Sequence, residues 1–140
     1  MAKVKSKEHA EHNECVCEYL DKANAYPDWV ITTAFYTSLH YLQFKLFPLK
    51  VIIGKNSIKV EDFDHYHSVL NSTKRRLGRH ERFQDLVEEK CPANIAGNYN
   101  RLLELSFTAR YSNYNYEVAI VNESKSKLAE IKKYCVKAIK

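Results

Sequence analysis

The sequence predicts an all-α protein, a single-domain, up-and-down bundle of about five helices over residues 1–140. The chain contains only three glycines and three prolines, so few positions can form the tight turns that many short strands require. The long segments between these residues repeat apolar side chains at helical spacing. Because a helical domain of this length can bury roughly two thirds of the surface of its unfolded chain, no second domain is needed.

The first two helices are expected before residue 50. Ser6 can cap a first helix that ends at about Lys22. A second helix is expected from Pro27 to about Phe47, where the following Pro48 ends it. This second segment is apolar nearly all round, which is typical of a helix at the centre of a bundle.

The remainder of the chain alternates between connections and further helices. Residues 49–61 have no helical period, so they predict a long loop or a small hairpin. Asp62 or Asp64 can cap a third helix that ends near Gly78. Further helices are expected at residues 81–90, at residues 95–113 and after a cap at Asn122.

Basic residues exceed acidic ones by 22 to 17, giving a net charge of +5 and a pI of about 8.9. Much of the excess is explained by a solvated surface. One dense group, the basic cluster, is a candidate patch for a phosphate backbone or an acidic protein. The basic cluster comprises Lys74, Arg75, Arg76, Arg79 and Arg82, with His80 among them.

The sequence predicts a cytoplasmic protein without a membrane partner, metal or cofactor. The first seven residues include three lysines, and no apolar stretch of signal-peptide or membrane-spanning length follows them. The cysteines do not have metal-ligand spacing, so reduced thiols are expected. They are Cys15, Cys17, Cys91 and Cys135.

A polar stripe follows the second helix at intervals of four residues. Its members are Asp28, Thr32, Tyr36 and His40. Burying an unpaired carboxylate or imidazole is costly, so these groups need partners. The natural partners are Arg110, Tyr111 and the group His9, His12 and Asn13. The stripe predicts either a polar network that fixes helix register or a cleft that binds a ligand or RNA.

An ordered set of motifs extends over nearly the whole chain. It comprises His9-Ala10-Glu11-His12-Asn13-Glu14, Asp28-Trp29, Phe35-Tyr36, Leu39-His40-Tyr41, a helix with His65 and His67, and Tyr99-x-x-Leu102-x-x-x-Ser106-x-x-Ala109-Arg110-Tyr111. In this order the motifs resemble bacterial and archaeal HEPN-like proteins. The resemblance implies a bundle of about five helices that assembles as a homodimer.

Catalytic members of that family cleave RNA without a metal, using an arginine and a histidine a few residues further on at a dimer interface. The resemblance assigns the arginine to Arg110. The histidine would fall at positions 115 to 117, which hold Asn115, Tyr116 and Glu117. Asparagine and tyrosine are poor general bases near pH 7, and Glu117 could serve only with a raised pKa, so the motif is degenerate.

One other pair, Arg75 and His80, has the family spacing. Gly78 lies between them and the surrounding leucine, serine and alanine motif is absent. We therefore interpret this match as chance, because it arises easily where arginines crowd a histidine.

These patterns predict a binding or regulatory module for RNA, a nucleotide or a partner protein, of a toxin-antitoxin or defence-like kind, with little or no cleavage of RNA. The predicted polar cleft comprises Asp28, Tyr36, His40, His12, Asn13, Tyr111, Asn115 and Tyr116. One alternative is a metal-free ribonuclease that combines Arg110 with a histidine such as His12 or His40. A purely structural domain is the other, and it requires Arg110 to be buried and fully paired.

Overall fold

The computed structural model describes residues 2–111 and 116–136 of the chain. The all-α prediction is confirmed, and the described residues form six helices and one small hairpin. The elements are α1 (Ala2–Lys22), α2 (Pro27–Leu46), β1 (Leu49–Ile53), β2 (Asn56–Val60), α3 (Phe63–Thr73), α4 (Arg79–Lys90), α5 (Ala93–Tyr111) and α6 (Val118–Cys135). Within these residues, none of the helices has both the length and the apolar character needed to span a bilayer.

The four long helices, α1, α2, α5 and α6, alternate in direction. Lys125 of α6 pairs with Asp21 near the end of α1 at 2.6 Å. Lys132, further along α6, pairs with Glu14 at 2.9 Å, so α6 is antiparallel to α1. Comparable contacts join Lys3 with Phe44 and Cys17 with Val30 between α1 and α2, and Asn98 with Lys127 and Arg101 with Glu123 between α5 and α6.

A chain of aromatic rings joins the short helices to the bundle. Phe35 of α2 is fully buried, and its ring centroid lies 5.6 Å from that of Tyr99 in α5. Tyr99 packs edge-on against Phe83 of α4 at 5.6 Å, and Phe83 packs against Phe63 of α3 at 5.1 Å. Each such ring pair contributes about 0.5–1.5 kcal/mol beyond its buried area. The rings therefore hold α3 and α4 against α2 and α5.

The central helix α2 satisfies its buried hydroxyl groups within its own backbone. Thr37 and Ser38 are fully buried and donate to the carbonyl groups one turn earlier, at 2.7 and 2.9 Å. Thr32 of the polar stripe donates to the Asp28 carbonyl at 2.8 Å. These bonds allow α2 to remain at the centre without polar partners from other helices at these positions.

Residues 49–61, predicted as a loop or small hairpin, form a hairpin. Its strands pair antiparallel, with Leu49 opposite Val60 and Lys50 opposite Lys59. Gly54 lies at the turn with a φ of 60°, a conformation that costs glycine little. Val60 is fully buried, which fixes the hairpin to the helical core.

The start of α1 differs from the prediction, because the helix begins at Ala2 rather than after Ser6. The Lys3 ammonium group donates to the carbonyls of Phe44 and Phe47, at 2.7 and 3.1 Å. These long-range bonds hold the basic N-terminal turn against the end of α2.

Helix α3 is capped by Asp62, as predicted, whose carboxylate accepts from the His65 backbone N–H at 2.8 Å. It ends at Thr73, not near Gly78. The hydroxyl group of Thr73 donates to the Val69 carbonyl at 2.7 Å and competes there with the helical backbone.

The last helix starts at Val118 rather than after the predicted Asn122 cap, and its N-cap position is Glu117. Helix α2 ends at Leu46, within one residue of the prediction. The predicted end of the fifth helix at Asn113 lies outside the described residues.

Candidate functional site

A cleft of about 910 Å³ lies between the first half of α1, the second half of α2 and the starts of α3 and α4. Its position follows from the aromatic chain, which holds the starts of α3 and α4 beside α2. The side chains that line it are Lys5, Ser6, His9, Tyr36, Leu39, His40, Gln43, Asp62, Phe63, Asp64, Arg79 and His80.

Three histidines line this cleft. The rings of His9 and His40 stack with their centroids 5.1 Å apart and their planes inclined by 22°. His80 is the second residue of α4, and its ring centroid lies 5.8 Å from that of buried Phe35. The cleft therefore combines three imidazoles contributed by α1, α2 and α4.

Arg110, at the end of α5, lies next to the cleft through its contact with Tyr36. Its guanidinium group donates to the Tyr36 hydroxyl at 2.7 Å and to the Ser106 carbonyl at 3.2 Å. The same group stacks over the rings of Tyr36 and Tyr111, at 5.5 and 5.3 Å. In the described ranges no carboxylate forms an ion pair with this half-buried arginine.

Two of the cleft histidines have lowered pKa values. Burial lowers the pKa of His40 to about 4, and the neighbouring His9 adds to this effect. The His80 side chain is exposed overall, but partial burial lowers its pKa, and the positive charges of Arg110 and Arg79 lower it further. Both imidazoles are therefore neutral at pH 7 and can accept a proton.

The entrance of the cleft contains charges of both signs. Arg79 pairs with Asp64 at 2.6 Å and lies over the ring of Phe63 at 5.0 Å. Both partners of this ion pair are more than half exposed, so water screens their attraction. An anion that enters the cleft can compete with Asp64 for the Arg79 guanidinium.

Tyr36 and His40, from the predicted polar cleft, line the observed cleft, whereas Asp28 does not. Asp28 precedes Tyr36 by eight residues, a distance of about 12 Å along a helix. Its carboxylate instead lies close enough to Tyr116 to help raise the pKa of that phenol, after the larger effect of burial. No hydrogen bond or ion pair joins Asp28 to Arg110 in the part of the chain that the structure describes.

The other predicted cleft residues lie elsewhere. His12 is exposed and Asn13 is half-buried, and neither lines the cleft. Tyr111 contacts Arg110 from outside the cleft and is 67% exposed. Asn115 lies outside the described residues. The α1 residues that line the cleft are Lys5, Ser6 and His9, and His9 lies one turn before His12 and Asn13.

His80 is the functional candidate that the sequence analysis set aside. Gly78, which appeared to interrupt the match between Arg75 and His80, is the N-cap residue of α4. The helix therefore begins two residues earlier than predicted, at Arg79 rather than Glu81. Gly78 at the N-cap and Glu81 in the first turn together form a recognisable helix start. This signal would have placed His80 in the first turn of α4.

The basic cluster divides into three parts. Lys74, Arg75 and Arg76 are exposed in the loop between α3 and α4. Arg79 lines the cleft. Arg82, predicted as part of the surface patch, is only 6% exposed, which corrects that assignment.

Arg82 instead supports the loop from inside. Its guanidinium donates to the Asn71 side-chain oxygen at 2.6 Å and to the Arg75 carbonyl. The Asn71 oxygen also accepts from the Leu77 backbone N–H at 3.1 Å. These bonds shape the loop that presents the three exposed basic residues.

The side chains in the described ranges provide no group of three or more histidine, cysteine or acidic residues that could hold a metal ion. All four cysteines are free, and Cys17 and Cys135 are buried. The lining of the cleft offers imidazoles, hydroxyl groups, the Arg79 guanidinium group, the Lys5 ammonium group and the carboxylates of Asp62 and Asp64.

Comparison with family models, curated proteins and solved structures gives no match to this chain. The resemblance to HEPN-like proteins therefore rests on the motif residues, and membership of that family stays a prediction. The geometry of the cleft is independent of this resemblance.

Replacing Arg82 with alanine should destabilise the fold. The substitution removes the two hydrogen bonds that the buried guanidinium group donates to the Asn71 side-chain oxygen and the Arg75 carbonyl, and bonds to charged groups contribute about 1.5–3 kcal/mol each. We expect urea unfolding to show a loss of about 2 kcal/mol or more. The exposed Arg76→Ala variant, matched in residue type and loop, should change by less than about 0.5 kcal/mol. Equal effects of the two substitutions would contradict the assigned role of Arg82.

His40 should make the free energy of unfolding depend on pH below 6.5. Its pKa of about 4 in the folded protein lies below the unfolded value near 6.5. As pH falls from 6.5 to 4, the unfolded chain therefore binds a proton that the folded protein does not, and stability decreases.

The His40→Gln variant should lose less stability than the wild type over this interval, measured by urea unfolding at several pH values. His65→Gln, which replaces an exposed histidine of α3, should retain the wild-type profile. A His40→Gln profile parallel to that of the wild type would show that His40 is not responsible.

Proposed function

We propose that this protein binds single-stranded RNA in the cleft, with Arg110 and Arg79 contacting phosphate groups. The observation behind the proposal is the position of Arg110, which donates to the hydroxyl of the cleft residue Tyr36, acts by its charge on His80 and forms no ion pair with a carboxylate in the described ranges. Such a guanidinium group is available to a phosphate. A purely structural role fits less well, because Arg110 is only half-buried.

The size and walls of the cleft support a nucleotide ligand. Its volume of about 910 Å³ lies within the range of roughly 300–1,000 Å³ found for small-molecule sites. The stacked rings of His9 and His40 offer a flat surface for a base. Single-stranded RNA is recognised by this combination of stacking and phosphate contacts, because its unpaired bases are free to stack on side chains.

The start of α4 adds a second feature that favours phosphate. Arg79 and His80 line the cleft and are the first two residues of this helix, whose N-cap Gly78 provides no side-chain cap. Helix N-termini attract anions because their first N–H groups are unpaired and the helix dipole is positive there. The exposed basic loop at residues 74–76 directly precedes this helix start.

Arg110→Ala should weaken binding of a short fluorescent oligoribonucleotide by about 10- to 100-fold, because a charged hydrogen bond to phosphate contributes about 1.5–3 kcal/mol. Fluorescence anisotropy measures the affinity. Arg101→Ala is the matched control, since Arg101 lies on the same helix but pairs with Glu104 and Glu123. If both substitutions weaken binding equally, or neither does, the proposed site is wrong.

Metal-independent cleavage of the bound RNA is the second candidate function, and the position of His80 favours it. This imidazole lies in the cleft, is influenced by the charge of Arg110 and is neutral at pH 7. It is therefore suited to act as a general base where the family motif lacks its histidine.

In this reaction, neutral His80 accepts the proton of a ribose 2′-hydroxyl group. The 2′-oxygen attacks the adjacent phosphorus, and the bond from phosphorus to the 5′-oxygen breaks. The leaving 5′-oxygen takes a proton from a water molecule. Arg110 stabilises the negative charge on the phosphoryl oxygens. The products are a 2′,3′-cyclic phosphate and a 5′-hydroxyl end.

With labelled RNA in EDTA, His80→Ala should reduce the cleavage rate by about 10²- to 10⁴-fold, the usual contribution of a general acid or base. Arg110→Ala should also reduce it, while His65→Ala should cleave like the wild type. A substrate with 2′-deoxyribose at the cleaved position should stay intact. Cleavage that none of these substitutions changes would exclude this site as its source.

The resemblance also implies a homodimer, which stays a prediction. Phe107 and Tyr111 support it, because their rings pack together at 5.0 Å and are 58% and 67% exposed. Exposed aromatic residues are enriched where proteins meet their partners. Both lie within one turn of Arg110 on α5, so a second copy bound there would lie beside Arg110.

A further inference from the structure

The hairpin of β1 and β2 has an outer face that the cleft does not use. Side chains alternate along both strands, so Leu49, Val51 and Ile53 are half-buried while Lys50 and Ile52 are exposed. The outward residues opposite them are Lys59 and Ser57, and Lys55 lies at the turn. The outer face of the hairpin is therefore defined by Lys50, Ile52, Lys55, Ser57 and Lys59.

This face places like charges directly opposite each other. Lys50 and Lys59 are register partners, an arrangement that destabilises an antiparallel pair. Lys59 forms a 3.5 Å ion pair with Glu61, but both side chains are more than 60% exposed, so the pair is weak. In the described ranges Lys50 and Lys55 have no ion pair. The fold thus contains a repulsion that binding of a polyanion would relieve.

The outer face also lies close to the cleft. Lys59 precedes Asp62, which lines the cleft, by three residues. Because an extended residue spans at most about 3.6 Å, their Cα atoms lie within about 11 Å of each other. Ile52, 64% exposed between the lysines, adds an apolar surface on which a base can pack.

We propose that the outer face of the hairpin binds the backbone of an RNA strand that continues out of the cleft. This inference rests on the proposed function of the cleft. The partner is a polyanion with regularly spaced charges and exposed bases, because the face offers three cations around one apolar side chain. In this arrangement the cleft holds one part of the strand and the hairpin holds another, so affinity depends on RNA length.

The test compares RNA of two lengths. In the hairpin variant, glutamine replaces Lys50, Lys55 and Lys59. Binding of a trinucleotide and of an RNA of about 15 nucleotides is then measured at several salt concentrations. We expect the hairpin variant to bind the long RNA about tenfold or more weakly. Its salt dependence should decrease by about 2 in slope, as expected for three lost phosphate contacts. Affinity for the trinucleotide should be unchanged.

A matched variant controls for net charge. Lys22, Lys90 and Lys133, which are exposed and outside the cleft lining, are replaced with glutamine in the same way. This control variant should bind the long RNA with nearly the wild-type affinity. If it weakens binding as much as the hairpin variant does, general charge rather than the hairpin is responsible, and the proposal is wrong.

Other outcomes separate this proposal from the proposed function. If Arg110→Ala leaves trinucleotide binding unchanged, the cleft assignment fails, whatever the hairpin variant does. If the hairpin variant binds long RNA normally but loses binding to a polyglutamate peptide, the face recognises acidic protein and the RNA proposal is overturned. Thermal unfolding checks the fold, and the hairpin variant should be at least as stable as the wild type because the Lys50–Lys59 repulsion is removed.

Discussion

The packing of four aromatic rings from four helices determines where the functional groups of this protein lie. Phe35, Tyr99, Phe83 and Phe63 form a continuous buried series at 5.1–5.6 Å from ring to ring. Together with other buried side chains such as Leu70 and Val87, it holds the short helices α3 and α4, of 11 and 12 residues, beside α2 and α5. The cleft exists because these helices begin where the rings fix them.

The same series explains why a polar site can border an apolar helix. Tyr36 follows Phe35 in the chain, so one residue packs in the core while the next presents its hydroxyl group to Arg110. His80, from α4, also packs against Phe35, with the ring centroids 5.8 Å apart. The core therefore sets the separation of the arginine and the imidazole, which is the quantity that matters for binding or cleaving a phosphodiester.

Features fixed by local chemistry were predictable from the sequence, and features fixed by long-range contacts were not. Pro27 indicated the start of α2, and the pair Asp62 and Asp64 indicated that of α3 to within two residues, because such residues act within one turn. The loop before α4 depends instead on the buried Arg82, whose charge suggested a surface residue. Because the predicted loop extended to residue 80, the sequence analysis placed His80 in the loop and not in the first turn of α4. The contact of Tyr36 with Arg110 was expected because both lie on core helices with unmatched polar groups.

NMR of the imidazole Cε1–Hε1 groups directly tests the proposal that one cleft, with Arg110 beside it, binds RNA. The chain has six histidines, of which His9, His40 and His80 line the cleft and His12, His65 and His67 do not. On titration with a trinucleotide of 2′-deoxyribose, which cannot be cleaved, we expect the first three signals to shift together and to saturate with one dissociation constant. Saturable shifts confined to His12, His65 or His67, or no saturable shift of any signal, would contradict it.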